Sequence, residues 1–196
     1  MLRSLYQCLG HRQQLKQWNM VFDFGTSNVR TLYKAGALLP VISQIQKDEL
    51  FVAAIQETRL LGNGINDTSR YMVLYSGKSE GTNEYGVAFI IHKNLKNSII
   101  DFQRINERLC MLRLLRMKFY NVAMINECAP TEGKEPSEKD EFYHKLERVL
   151  DALPSNDVKI ILGNFNAKLG KEEKFRNIIG RNSLHDISDD SGEKSY

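Results

Sequence analysis

The residues best placed to do chemistry stand at the ends of apolar runs. The most pronounced case lies between Asp157 and Ala167, which reads Asp-Val-Lys-Ile-Ile-Leu-Gly-Asn-Phe-Asn-Ala. Val158 to Leu162 has the pattern of a strand buried on both faces. Gly163 is then expected to turn the backbone sharply. Asn164 and Asn166 follow, and their oxygen-bearing side chains could grip a metal-bound phosphate or a water at a strand's carboxyl end. Gly-Asn-x-Asn is also ordinary turn composition. Asn28, Glu57 and the stretch from Asn126 to Cys128 end other apolar runs. Glu57 carries most weight, because a carboxylate directly after Ala53-Ala-Ile-Gln56 is costly unless it meets solvent or a cation. One carboxylate with an Asn amide oxygen is a sparse shell of the kind that suits magnesium, which keeps most of its waters.

The elements that must carry these residues follow from the pattern. Met20 to Gly25 reads as a strand, and Thr26 to Arg30 as a loop. Ala35 to Lys47 has helical spacing, with Leu38, Val41, Ile42 and Ile45 on one face and Pro40 near its start. Leu50 to Ile55 is a second buried strand, which makes a right-handed crossover unit with parallel strands. Gly62 to Asp67 reads as a loop. Arg70–Tyr75, Gly86–His92, Ser98–Phe102, Arg108–Leu114 and Phe119–Ile125 then read as an antiparallel meander. A helix capped at Ser137 should bury Phe142, Leu146, Val149 and Leu150. The expected plan is α/β, with mixed sheets sandwiched and helices outside.

Composition bounds the rest. A chain of 196 residues, 42% apolar and 26% charged, has room for one domain with a real core. A net charge of +3 permits a polyanionic partner without arguing for one. Cys8, Cys110 and Cys128 show neither metal spacing nor a disulfide framework, and an odd count suits a reducing compartment. No run approaches the ~20 apolar residues of a membrane helix. Residues 1–19 are expected to form a poorly ordered tail rather than a transit peptide, 20–170 the domain, and 171–196 a charged, loop-like end.

Gly25-Thr-Ser-Asn-Val-Arg-Thr-Leu32, Ile55-Gln-Glu-Thr-Arg59, Ile125-Asn-Glu-Cys-Ala-Pro-Thr-Glu132 and Leu162-Gly-Asn-Phe-Asn-Ala167 together resemble the ordered motifs of the endonuclease/exonuclease/phosphatase superfamily. Within it, the chain is most similar to the apurinic-like endonuclease domain of non-LTR retrotransposons and to craniofacial development protein 2-like sequences. Glu84-Tyr-Gly-Val-Ala-Phe89 and Glu107-Arg-Leu-Cys-Met-Leu-Arg113 add to the likeness, which covers about residues 21–170. The resemblance implies a four-layer α/β sandwich that hydrolyses phosphodiesters of DNA with Mg2+ or Mn2+. Asn28 and Glu57 would hold the metal and Asn166 the phosphate. A nuclear role follows from the resemblance only; localisation is left open between nucleus and cytoplasm, and secretion is not expected. Oligomeric state is left open.

The motifs also depart from that pattern. Asn164 stands where the family has the Asp that orients or deprotonates the attacking water, and Cys128 where a His or Tyr is usual. Ser27 replaces an aromatic and is expected to leave a gap beneath Asn28. The closing Ser-Asp-His-type motif is missing. His185-Asp186 comes too early and in the wrong surroundings to replace it. The expectation is a degenerate, C-terminally truncated phosphodiesterase, weak or inactive. The alternatives are an active Mg-dependent endonuclease that nicks DNA, or a non-catalytic remnant that binds nucleic acid or protein. An inositol-phosphate or lipid phosphatase fits the motif spellings less well.

Overall fold

The structure, a computed structural model, describes residues 13–17, 20–82, 84–115, 120–168, 170–172, 187–189 and 192. The chain divides into two compact units. The first comprises Met1–Cys128 with Pro154–Gly163, and the second Ala129–Leu153 with Asn164–Tyr196.

In the first unit, β1 (Gln13–Gln17), β2 (Met20–Asn28), β3 (Val52–Gln56), β4 (Asn63–Asp67), β5 (Tyr71–Ser76) and β6 (Val87–His92) form one sheet, in the order β1-β2-β3-β6-β5-β4. β7 (Ile99–Asn106), β8 (Leu109–Leu114), β9 (Val122–Cys128) and β10 (Val158–Asn164) form the other, in the order β10-β9-β8-β7. β2 and β3 are parallel across the helix α1 (Leu38–Lys47), as the crossover pattern required. The expected meander is antiparallel but breaks between sheets. A 3-10 turn, Lys93–Ser98, buries Leu95 and sends the chain from the first sheet to the second.

Alternation along the strands sorts the side chains into a layered core. Phe24, Val52, Ala54, Leu74, Val87 and Phe89 of the first sheet meet Cys110, Leu112, Val122 and Met124 of the second. The opposite face of the first sheet, with Ala53, Ile55, Val73 and Ile90, packs on Val41 and Ile45 of α1. Burying one such aliphatic side chain contributes about 1.5–3 kcal/mol, so these two clusters hold the unit together. In the second unit, α2 (Pro136–Ala152) buries Phe142 and Leu146, while Val149 and Leu150 are half-buried. No helix among the described residues is long and apolar enough to cross a membrane.

Several expectations are corrected. Gln13–Gln17, expected within a poorly ordered tail, pair antiparallel with β2. Backbone pairing needs no apolar signature, and that stretch carries none. For the same reason Gly62–Asp67, read as a loop, contains the exposed edge strand β4. α2 begins two residues earlier than Ser137 suggested: Glu135 is its N-cap, without a side-chain cap, and Pro136 takes the first helical position that its fixed φ favours. β10 is half-buried rather than buried on both faces, because it ends the order of its sheet. Gly163 lies inside β10 and has no positive φ. It is there for space, since a Cβ would stand 2.0 Å from the Glu127 carbonyl oxygen on β9.

An ion pair ties β8 to the entry of β10. Arg113 donates to both carboxylate oxygens of buried Asp157, Nε at 2.5 Å and Nη2 at 3.2 Å. The Arg113 hydrogen bond, against the opposing effect of burial, holds the Asp157 carboxyl below its ordinary range. A depressed carboxyl stabilises the fold above the ordinary carboxylate range, and that contribution disappears as pH falls through its folded value. Arg113→Met is therefore expected to cost about 1.5–3 kcal/mol in urea unfolding at pH 7. The gap from the wild type should close as the pH is lowered below the carboxylate range. A gap that is constant with pH would contradict this account.

Candidate functional site

The parallel register sets Asn28 opposite Gln56, so β2 and β3 end together. Glu57, the next residue, then meets Asn28: the Asn28 Nδ2 donates to Glu57 Oε1 at 2.7 Å. The Asn28 Oδ1 accepts from the Arg30 N–H at 3.2 Å. Both ends of this carboxamide are thus engaged, one of them in orienting the carboxylate.

The loops that follow are held in unusual backbone conformations. Arg30, Glu57 and Arg59 have φ of 61°, 55° and 56°. Such residues cost about 1–3 kcal/mol each and persist only where the surroundings over-determine them. Here Val29 N–H donates to Gln56 O at 3.1 Å and Leu32 N–H to Thr58 O at 2.7 Å. Thr58 N–H donates to Gly86 O at 2.9 Å and Arg59 N–H to Tyr85 O at 2.6 Å. Gly86 has φ of 98°, and a Cβ there would lie 2.4 Å from Thr58 Oγ1, so glycine is needed for both reasons.

A buried chain of amides lies under this loop. Gln56 Nε2 donates to Asn126 Oδ1 at 2.7 Å and to Thr26 Oγ1 at 2.9 Å. Asn126, 0% exposed, donates from Nδ2 to Ile55 O at 3.1 Å and Ala88 O at 2.8 Å. Asn126 is on β9, so this carboxamide binds the second sheet to two strands of the first. Ser27, expected to leave a gap, is buried, and its Oγ has no hydrogen-bond partner among the described residues.

Cys128 closes the same group. It is 2% exposed, and burial first, then the Glu127 charge, pushes its thiol up to about 12, against the opposing pull of Arg108. A thiol so placed is neutral near pH 7 and neither a nucleophile nor a proton donor of use. Cys110 is likewise held neutral by burial.

The structure therefore brings Asn28, Glu57 and Cys128 together within the first unit. Asn164 and Asn166 belong to the second unit and are tied to each other. Asn166 N–H donates to Asn164 Oδ1 at 3.1 Å, and Asn166, with φ of 44°, donates from Nδ2 to Ala129 O at 2.7 Å. His185 and Asp186 lie outside the described residues. Among the described residues, no group of three or more His, Cys, Asp and Glu is placed to hold a metal.

Sequence reading passed over Gln56 and Arg108 as individual residues, and took Asn126 for a strand-end polar group. The available signal was a carboxamide directly after the apolar run of β3 and another after that of β9, since a buried amide requires partners. Tyr85, Gly86 and Arg108 lie in the two stretches, Glu84–Phe89 and Glu107–Arg113, whose only signal of function is the family likeness.

Solved structures with this arrangement of strands decide the fold. The AP endonuclease LMAP from Leishmania major superposes with a TM-score of 0.57 at 14% identity, over 78% of this chain and 56% of that one. The chain has the endonuclease/exonuclease/phosphatase fold. The endonuclease domain of TRAS1, a telomere-specific non-LTR retrotransposon, shares it with a TM-score of 0.55 at 12% identity, over 88% of this chain and 68% of that one. Humanised TDP2 of D. rerio gives 0.50 at 11% identity, over 82% and 67%. In sequence, the chain is 30% identical to craniofacial development protein 2 of Bos taurus over 182 residues, 93% of this chain and 30% of that protein. It is 32% identical to the Tragulus javanicus protein of that name over 163 residues, 83% and 28%. The chain thus spans under a third of these curated relatives. No protein-family model matches it.

Proposed function

We propose that this endonuclease/exonuclease/phosphatase domain is a degenerate metal-dependent phosphodiesterase of the DNA-endonuclease type, weak or inactive as a hydrolase. The observation that carries the reading is the Glu57 carboxylate, oriented by Asn28 at the end of two parallel strands. Its donor chemistry suits a hard cation: Glu57 offers a carboxylate oxygen beyond the one that Asn28 occupies, and Mg2+ or Mn2+ needs few protein ligands when it keeps its waters. Asn28 orients that ligand, and the second lone pair of its oxygen, beyond the one that accepts from Arg30, would let it add an amide oxygen to the shell. Bound there, the ion would supply Lewis-acid polarisation of a phosphoryl oxygen. Asn164, an amide at the motif position of the water-activating Asp, supports the weak-or-inactive half of the reading. DNA-processing neighbours support nucleic acid as the partner.

The test is incubation of the full chain with supercoiled plasmid and Mg2+ or Mn2+ beside Glu57→Ala. Nicking no faster than in the variant is expected. Nicking that vanishes in Glu57→Ala would keep the site and overturn the inactivity. A mobility shift that weakens steeply with salt would favour retained nucleic-acid binding.

A further inference from the structure

Arg108 precedes β8 and is only 7% exposed, which is uncommon for a guanidinium. Its Nη1 donates to the Cys128 carbonyl at 3.1 Å, and its guanidinium carbon lies 3.8 Å from the centre of the Tyr85 ring. Its own carbonyl accepts from Cys128 N–H at 2.9 Å, and its N–H donates to Asn106 Oδ1 at 2.8 Å. Both backbone and side chain therefore fasten it to neighbouring strands. From that anchored position it meets Tyr85, whose carbonyl takes the Arg59 N–H, while Gly86 takes the Thr58 N–H and gives its own N–H to Glu107 O at 3.0 Å. Glu57 immediately precedes the pair of residues held in this way.

The geometry points to Arg108 as a positioning residue for the Glu57 carboxylate. Its guanidinium keeps the Tyr85–Gly86 backbone against Thr58 and Arg59, and so maintains the left-handed conformation that aims Glu57. The backbone effect stands on these contacts alone, and its consequence for metal affinity rests on the proposed role of Glu57. The task needs a flat, delocalised cation. A planar guanidinium lies over a ring face and donates sideways at the same time, whereas a lysine ammonium is a point donor that cannot do both. Methionine fills similar volume without either contact, so it should spare the core and release the loop.

Backbone hydrogen exchange on the full chain reads this directly. In Arg108→Met, the Thr58 and Arg59 amides are expected to exchange roughly tenfold faster or more, with the β5–β6 ladder unchanged. No change at Thr58 and Arg59, or an equal rise throughout the sheet, would overturn the inference. Should Arg108→Met not fold, Tyr85→Leu removes the ring from the same contact, and the same selective loss is expected. Mn2+ affinity, followed through the electron-spin signal of the free ion, is expected to weaken roughly 10–100-fold in Arg108→Met and in Arg108→Lys. Mn2+ binding lost in Glu57→Gln but kept in Arg108→Met would overturn the positioning role and leave the proposed function standing. A wild type that takes up no Mn2+ would remove the metal reading instead, and the exchange rates would then decide for or against Arg108.

Discussion

Gly163→Ala is expected to destabilise the chain by about 3 kcal/mol, towards the upper end for overpacking, although it adds one methyl group to a half-buried edge strand. The reason is what that methyl group meets. It would stand 2.0 Å from the Glu127 carbonyl oxygen and 2.8 Å from its carbonyl carbon. Backbone atoms cannot rotate aside as the end of a side chain can, so β10 would have to move away from β9. That movement would loosen Val158, Ile160 and Leu162, which pack on the core cluster from β10. Gly133→Ala is the matched control, because a Cβ there meets nothing within 4 Å and φ is not positive. It should be neutral, or stabilising by about 0.4–1 kcal/mol through the unfolded chain. Urea unfolding of both variants settles the matter. Equal stabilities would mean that the close approach of β10 to β9 carries no weight.

The same glycine shows how far the sequence was legible. Between Leu162 and Asn164, glycine suggested a turn, because a residue without a side chain serves both turns and close backbone approach. Only the pairing partner separates the two, and the partner lies on β9, 36 residues away in number. Strands with apolar alternation were read correctly for the matching physical reason: burial imposes a pattern on the strand itself. β1 and β4 have no such pattern, and their places in the sheet are marked by backbone pairing with β2 and β5. The break of the meander between sheets was hidden in the same way. Each half obeys antiparallel spacing, and nothing local marks the point at which the chain changes sheet.

The candidate site was legible in its residue types but less so in its wiring. Glu57 and Asn28 were chosen because polar groups at strand ends require a reason, and the parallel register does place them in contact. The two Asn side chains of Gly-Asn-x-Asn were expected to face a phosphate or a water. In the structure one oxygen closes an Asx turn and one amino group holds the Ala129 carbonyl. Gln56, Asn126 and Arg108 act through contacts with residues far away in sequence, a property that spacing cannot reveal.

Restoring Asn164→Asp is expected to give the largest functional change, roughly 10²–10⁴-fold in the rate of plasmid nicking, the usual worth of general-base help. The substitution suits the local structure. The Asn164 side chain accepts from Asn166 N–H through Oδ1, and a carboxylate oxygen of the same shape accepts equally well. The Ala129 N–H, at 3.0 Å, bonds to the Asn164 main-chain carbonyl and is unaffected. What changes is the other half of the group: an amide NH2, a donor that cannot take a proton near neutral pH, becomes an oxygen that can. Cys128 offers no substitute, because its buried thiol is pushed up to about 12. Glu57→Ala in the Asn164→Asp background should return nicking to its starting level if both residues serve one reaction. A folded Asn164→Asp chain that remains silent with Mg2+ and with Mn2+ would show that the carboxamide is not what blocks hydrolysis. The proposed inactivity would then need another cause.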